Sequence, residues 1–473
     1  MRVRLVAMCA VAVLVLAACG NSGDDDFDTS SPTDPSDTPV TTASDEDLDT
    51  NISSTQPGVS DTEIQVAVIA SKTNPLNGKY AQVADGIRAY FEMVNSEGGI
   101  YGRNLVVSAE RDDIVGLQNL QEVQASLADD NAFATFLASL GFTGADALDE
   151  AGQPTFIWNI RPEMAGHQNI FGNIGAICFG CTGQPLPWIA QEIGAEQVGV
   201  LAYGVANESK LCAAGNRDAF EQYPTAEVVF FDDTLEFAQP DLSAQVAEMK
   251  AKGVDLVTTC MDINEVIVLA REMKEQGLDA VQTLPNGYDA ELVAANADLL
   301  NGSYVSVQFV PYENDPLPAE VETFLHWMEE TGKEPIEIAA MGWILAYQFV
   351  EGLKLAGPEF TQQSVIDALN TQTDLDVNGM TVPLDWTKQH NDPVGNAEVD
   401  SDYECASIVE VVDGKFVPVF NEPGKPFSCW ENNAEELNYL GNFSFEPGAE
   451  EGASNKNMRD QDTSETDTTE EPE

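Results

Sequence analysis

Ile64-Gln-Val-Ala-Val-Ile-Ala70 opens the stretch whose reading decides the fold. It runs on through Asn74-Pro-Leu-Asn-Gly-Lys-Tyr80 and Asp85-Gly-Ile-Arg88 to Val94-Asn-Ser-Glu-Gly-Gly-Ile-Tyr-Gly-Arg-Asn-Leu105, and ends on Asp112-Asp113. A short, nearly continuous apolar run rich in β-branched residues reads as a buried strand over 64–70. Apolar residues at helical spacing predict an amphipathic helix over 80–96. Gly98-Gly99 ends it, because glycine takes the left-handed conformation of a helix end without a Cβ penalty. A second strand is expected at 105–109. Strand, helix and strand in succession form a βαβ unit, whose strands are parallel.

The same alternation continues outward. A helix over 116–128, a strand at 133–137, a helix over 143–150 and strands at 155–158 and 169–172 complete a first series. A second begins with a helix at 186–193 and a strand at 198–203. Strands at 226–231, 254–259, 281–284 and 303–307 follow, with helices near 210–222, 240–252, 263–276 and 289–298 between them. After Tyr312 come helices at 319–330, 337–355 and 362–369, then short strands near 380–384 and 406–412 that are expected to return and complete the first sheet. The pattern predicts an α/β chain of two doubly wound parallel-sheet lobes joined by a hinge. Residues 61–178 with about 312–446 form lobe 1, and 179–311 form lobe 2. Ligands of open α/β sheets bind outside the carboxyl ends of the strands, so two facing lobes make a ligand cleft.

Residues 1–18 have the layout of an export signal: Arg2 and Arg4, an apolar run from Leu5 to Leu16 too short to span a membrane, then Ala17-Ala18. Leu16-Ala-Ala-Cys19 resembles a bacterial lipoprotein box, in which Cys19 carries the lipid; the alternative is an ordinary signal that contains a cysteine. Residues 19–60 hold Asp24-Asp25-Asp26, much Ser, Thr and Pro and no Lys or Arg, which predicts a disordered acidic stalk. Residues 447–473 have the same chemistry and read as a disordered acidic tail.

The 473 residues carry 21 Lys and Arg against 80 Asp and Glu, a net charge of −59. Setting aside +2 in the signal, −10 in the stalk and about −7 in the tail leaves roughly −44 on the folded part. Charge spread so widely suits a salt-adapted surface; an electrostatic funnel for cations is the other reading. It excludes nucleic acid as a partner, since phosphate contacts need Lys and Arg. Beyond Cys9 and Cys19 the chain holds Cys178, Cys181, Cys212, Cys260, Cys405 and Cys429. In an exported protein these are disulfide candidates, with Cys405 and Cys429 paired across a hairpin-like stretch. Pairing among the other four stays open, and Cys178-Phe-Gly-Cys181 also fits half a zinc site or a redox pair.

The stretch from Val66 to Asp113 resembles the start of the type I periplasmic binding proteins of the branched-chain amino acid transporter family. That family opens with a strand, a Pro-Leu-Thr-Gly-like loop, a helix ending Asn-x-x-Gly-Gly-Ile-x-Gly, and a strand ending in Asp. Leu269-Ala-Arg-Glu-Met-Lys-Glu-Gln-Gly-Leu278 resembles a later helix of the same family, and the likeness covers about 61–420. It implies a monomeric solute-binding protein, lipid-anchored on the outer face of the membrane, that hands a small amino-acid-like or amide-type molecule to an ABC permease. No catalysis, cofactor or metal is implied. Matched by position, the first-lobe site is Asn74, Lys79 and Tyr80, then Ser139, Gly141, Phe142 and Thr143, with Trp158 and Asn159 beside them. The second lobe supplies Tyr203, Asp262 and Asn286. Asn286 falls where the amino acid binders place an acid, so Asp262 or Asp289 is the substitute, or each is a solvated loop carboxylate. Ser139 and Thr143 offer hydroxyls beside free helix N–H groups suited to a carboxylate, and they equally suit capping that helix. Trp158 suits either an apolar ligand or the core.

His167, His326 and His390 lie far apart, and there is no G-x-S-x-G, H-E-x-x-H or phosphate loop, so the chain is not expected to be an enzyme. A lipoprotein that presents its ligand to a separate sensor is the alternative role.

Overall fold

The computed structural model describes residues 50–445 except 75, 77, 179–180, 240 and 392–402. The expected signal with Cys19, most of the stalk and the tail lie outside these residues. The first sheet is all parallel, in the order β2-β1-β3-β4-β5. It comprises β1 (Glu63–Ala70), β2 (Asn104–Asp112), β3 (Ala134–Ala138), β4 (Thr155–Ile157) and β5 (Ile170–Gly172), linked by α1 (Val83–Ser96), α2 (Asn119–Asp129) and α3 (Ala145–Glu150). After α4 (Pro185–Ile193) the second parallel sheet follows, in the order β7-β6-β8-β9. Its strands are β6 (Gln197–Tyr203), β7 (Glu227–Leu235), β8 (Leu256–Cys260) and β9 (Val281–Gln282), with α5 (Asn207–Gln222), α6 (Ser243–Lys252) and α7 (Ile263–Gln276) between them. In each sheet the winding reverses beside the first strand, which opens a crevice between β1 and β3 and another between β6 and β8. The two-lobed α/β architecture read from the sequence is the one observed.

The chain then runs through α8 (Ala290–Ala295), α9 (Ala297–Leu300) and β10 (Tyr304–Val307) to α10 (Ala319–Glu330), α11 (Glu337–Ala356) and α12 (Gln362–Leu369). α11 is apolar around most of its circumference and is buried over nearly its whole length. It crosses α1 so closely that Gly86 lies on the Ala339 carbonyl and Gly342 on the Val83 carbonyl, where any Cβ would collide with backbone. Phe136, Phe156 and Phe349 fill the space between this helix and the first sheet.

The strand-rich end departs from expectation. Residues 380–384 form isolated bridges, Thr381 to Phe309 and Leu384 to Leu375, rather than a strand. β11 (Tyr403–Val412) does not complete the first sheet: it pairs antiparallel with β10, with β12 (Lys415–Pro418) and with β13 (Phe427–Glu431), and β13 pairs with β14 (Tyr439–Phe443). The cause is local. Asp413-Gly414, both at positive φ, turn β11 directly into β12. Trp188 and Ile189 of α4 share a core with Ile408 and Trp430, which fixes the new sheet beside the second lobe.

The stalk also ends earlier than composition implies. Arg103 donates from Nη2 to the Ile52 carbonyl and from Nε to that of Ser60 at 2.6 Å, and Gln362 N donates to Gln56 Oε1 at 3.0 Å. Residues 52–60 therefore lie along the first lobe. No helix among the described residues is long and apolar enough to cross a membrane.

Cys405 bonds Cys429 across β11 and β13, as expected. The open pairings resolve as Cys178–Cys181 and Cys212–Cys260. With both sulfurs of Cys178-Phe-Gly-Cys181 bonded to each other, the half-zinc reading falls. Cys212–Cys260 ties α5 to the end of β8 over 48 residues of chain. Its removal in a Cys212→Ser, Cys260→Ser double variant should lower stability by about 2–4 kcal/mol, read as a lower urea midpoint.

Candidate functional site

At the crest of the first sheet, backbone and side chains are tied into one knot. Ser71, just past β1, donates from Oγ to Asp113 Oδ1 at 2.7 Å and accepts from Leu140 N at 2.9 Å. Asp113, fully buried just past β2, also accepts from Gly116 N at 3.0 Å and Asn119 Nδ2 at 3.1 Å. Asn119 in turn donates to Ser139 Oγ at 3.1 Å and accepts from Thr143 N at 3.0 Å and Gly144 N at 2.9 Å. Of the N–H groups at this turn, those of Leu140, Thr143 and Gly144 are occupied from within the protein. Thr143 Oγ1 accepts from Leu120 N, Gly141 lies backbone to backbone against Gly116, and Phe142 is buried in the core. Ser139 and Phe142 are buried, Gly141 is half-buried and Thr143 is exposed.

The loop after β1 projects from that knot. Asn74 folds it back by accepting from Gly78 N at 2.9 Å and donating to the carbonyls of Ser71 and Gly78. Lys79 and Tyr80 consequently face the second lobe. Lys79 Nζ pairs with Asp289 at 2.8 Å and with Glu334 at 3.4 Å, and Asn264 donates from Nδ2 to the Leu76 carbonyl. Tyr80 packs edge-on against Trp158, ring centroids 5.3 Å apart; Asn159 beside it is half-buried.

On the opposite side Asp262 caps α7, accepting from Asn264 N and Glu265 N, and receives the Tyr203 hydroxyl. Asp289 caps α8 by accepting from Leu292 N. Between the lobes lies a cavity of about 180 Å³ whose lining includes Gly78, Lys79 and Tyr80 from one side, Asp262, Asn264, Asn286 and Asp289 from the other, and Glu337 at the start of α11. A larger space of about 430 Å³, lined by Gly175, Cys178, Gln389 and Glu404 among others, lies at the edge of the first sheet, between the segment that follows β5 and the start of β11. The smaller cavity is the better candidate because the loops after β1 of the first sheet and after β8 and β9 of the second all line it, outside the carboxyl ends of both sheets.

Of the residues picked from sequence, Lys79, Tyr80, Asp262, Asn286 and Asp289 line this cavity. Tyr203 stands one hydrogen bond behind Asp262, Trp158 stands behind Tyr80, and Asn74 braces the loop. Asn264, Glu265, Glu337 and Arg161 were not picked. Glu337 opens an apolar helix, where an acid reads as an ordinary dipole-friendly first residue.

Burial pushes the Glu337 carboxyl up to about 7. Burial, then the charge of Asp262, does the same to Glu265. Tyr80 is pushed up to about 12 by burial and next by Asp262, and Tyr203 rises by burial and by its bond to Asp262. Partial burial lowers the Lys79 ammonium, but Asp289 and Glu334 together more than reverse it.

Two facing α/β crests around a shared cavity define the class of two-lobed solute-binding proteins. Residues 63–415 match the model of the periplasmic binding protein family, and the chain belongs to that family. Its members are solute-binding proteins of ABC transporters, not enzymes. Among solved structures the chain resembles the fatty acid ABC transporter substrate-binding protein of Thermomonospora curvata, at 20% identity and TM-score 0.62 over 77% of this chain and 93% of that one. It also resembles the branched-chain amino acid transporter substrate-binding protein LivJ of Streptococcus pneumoniae in complex with isoleucine, at 17% identity and TM-score 0.61 over 76% and 100%. A branched-chain amino acid ABC transporter protein of Thermus thermophilus with bound valine gives 16% and 0.60 over 76% and 96%. No curated protein is detectably similar in sequence.

The raised Glu337 carboxyl gives a pH prediction. The unfolded carboxyl loses its proton near 4.5 and the folded one near 7, so the native state holds the extra proton between those values. Its contribution to stability therefore falls as pH rises across that window and levels off above it. Glu337→Gln should flatten this decline and raise stability at pH 8 by an amount on the order of 3 kcal/mol. Denaturant midpoints at pH 4.5, 6 and 8 measure it. Glu265 and Glu404, also raised to about 7, keep the remaining slope.

Proposed function

We propose that this chain is an extracytoplasmic solute-binding protein, held to the membrane by a lipid on Cys19, that captures a small amino-acid-like or amide-type molecule and delivers it to an ABC importer. The observation that carries the reading is the cavity between the two crests, closed over by the Lys79–Asp289 pair and by the Asn264 bond to Leu76. Its volume of about 180 Å³ suits a small molecule, and its lining mixes aliphatic side chains such as Ile263, Leu292 and Ile338 with polar groups and two tyrosines. Related folds hold isoleucine or valine, and one serves fatty acids.

A thermal-shift screen of amino acids, amides and short carboxylates in high salt should give at least one compound that raises the melting temperature, since binding stabilises the folded state. Asn264→Ala removes a contact across the cleft at a position where alanine suits the helix. It should weaken that compound about tenfold and leave the ligand-free melting temperature nearly unchanged. Absence of any hit, or unaltered affinity in Asn264→Ala, contradicts the site. Cys19→Ser should move the protein from the membrane fraction to the soluble extracytoplasmic fraction; retention in the membrane contradicts the anchor.

A further inference from the structure

Arg161 lies just past β4, in the first-lobe wall, and is 7% exposed. Its Nη2 donates to the backbone carbonyl of Ser139 at 3.1 Å, its one hydrogen bond among the described residues. A guanidinium has five N–H donors, so four have no protein acceptor among the described residues, and Nε and Nη1 keep some access to solvent. It forms no ion pair with a described residue either. The ionisable groups that face it are Glu163, Glu208, Asp113 and Tyr80, each beyond direct contact, and Asp113 is already engaged by Ser71, Gly116 and Asn119. In a chain with 80 acids and 21 Lys and Arg, a buried arginine without a carboxylate partner is unexpected. Removing a guanidinium from water is unfavourable unless an anion and further hydrogen bonds meet it.

A second donor beside it is also unmatched. Trp158, three residues earlier, is 5% exposed, and its Nε1 is buried with no acceptor. Trp158 carries the edge contact to Tyr80, and Tyr80 lines the interlobe cavity. Neither residue is among those that line the cavity: Trp158 stands behind Tyr80, and Arg161, held to the Ser139 carbonyl, is close enough to Tyr80 for their charges to interact. At the turn after β3, Asn119 already holds the N–H groups of Thr143 and Gly144.

We propose that Arg161, assisted by the Trp158 indole N–H, is the receptor for an anionic group of the solute, and that the solute is therefore a carboxylate and not an amide. This rests on the solute-binding reading above and narrows it. A planar guanidinium fork matches two carboxylate oxygens at once, whereas a neutral amide leaves the buried charge uncompensated.

The test is isothermal titration of matched probes, hexanoate against hexanamide and leucine against leucinamide, into the wild type, Arg161→Gln and Arg161→Lys. At least one acid should bind, and its amide should bind roughly 30-fold more weakly or not at all. Arg161→Gln should weaken the acid by roughly 30-fold or more, and Arg161→Lys by less, since it keeps the charge and loses the fork. Ligand-free Arg161→Gln should melt at or above the wild-type temperature, because it sheds an unpaired buried charge. Amides that bind as well as acids, or an Arg161→Gln protein that keeps its acid affinity, overturn the anion receptor and leave the solute-binding reading standing. A lower ligand-free melting temperature in Arg161→Gln makes the arginine a structural brace and overturns the proposal as well. If none of the four probes binds the wild type, the amino-acid-like or amide-type reading falls and this inference falls with it.

Discussion

Asp113 accepts hydrogen bonds from Ser71, Gly116 and Asn119 in full burial, and through them one carboxylate joins the ends of β1, β2 and β3. Hydrogen bonds to a charged group are about twice as strong as neutral ones, and a low-dielectric setting strengthens them further. The reverse is equally relevant: with Asp113 or Asn119 removed, several buried donors would be left without acceptors at once. The first-lobe wall is consequently stiff. Loop geometry at Asn74, the close approach of Gly116 to Gly141, and the placement of Ser139 all depend on this knot. It also engages the Ser139 hydroxyl, which is fully buried and accepts from Asn119.

Local periodicity made the two parallel sheets legible. The buried run at 64–70 and the helix closed by Gly98-Gly99 appear within a residue or a turn of their expected places. What escaped depends on partners far apart in the chain. Residues 52–60 look like linker because they are polar, yet they are held through their backbone by Arg103 and Gln362. The pairing of β11 with β10 depends on which sheet edge lies nearer after a tight turn, and hydrophobic spacing does not encode that. At the site, Lys79 and Asp262 were visible because they end strands or loops. Asn119 and Arg161 were not, because their roles arise only when helix α2 and the segment after β4 come beside the turn after β3.

Charge distribution adds a constraint of its own. With so many more acids than bases, a cation near the cleft has a surplus of carboxylates available, and Lys79 takes two of them. Arg161 takes none within ion-pair distance: Glu163 and Glu208 face it from beyond contact, and Asp113 is already engaged. The acids at the seam carry the opposite burden. Glu337 and Glu265 are buried where they resist ionisation, so near neutral pH they weaken the closed arrangement rather than support it.

The named polar links that close the lobes are correspondingly slight. Lys79 is 38% exposed, and a pair of that kind contributes on the order of 0–1 kcal/mol. The Asn264 to Leu76 bond adds about 1 kcal/mol. Against these stand the buried acids and the desolvated guanidinium. Closure without an occupant is therefore weakly favoured at best, and a ligand that supplies differential contacts to both crests shifts the balance toward the closed form. A stiff first wall and a lightly latched second one make that coupling efficient, because the binding energy need not reorganise the wall it binds to.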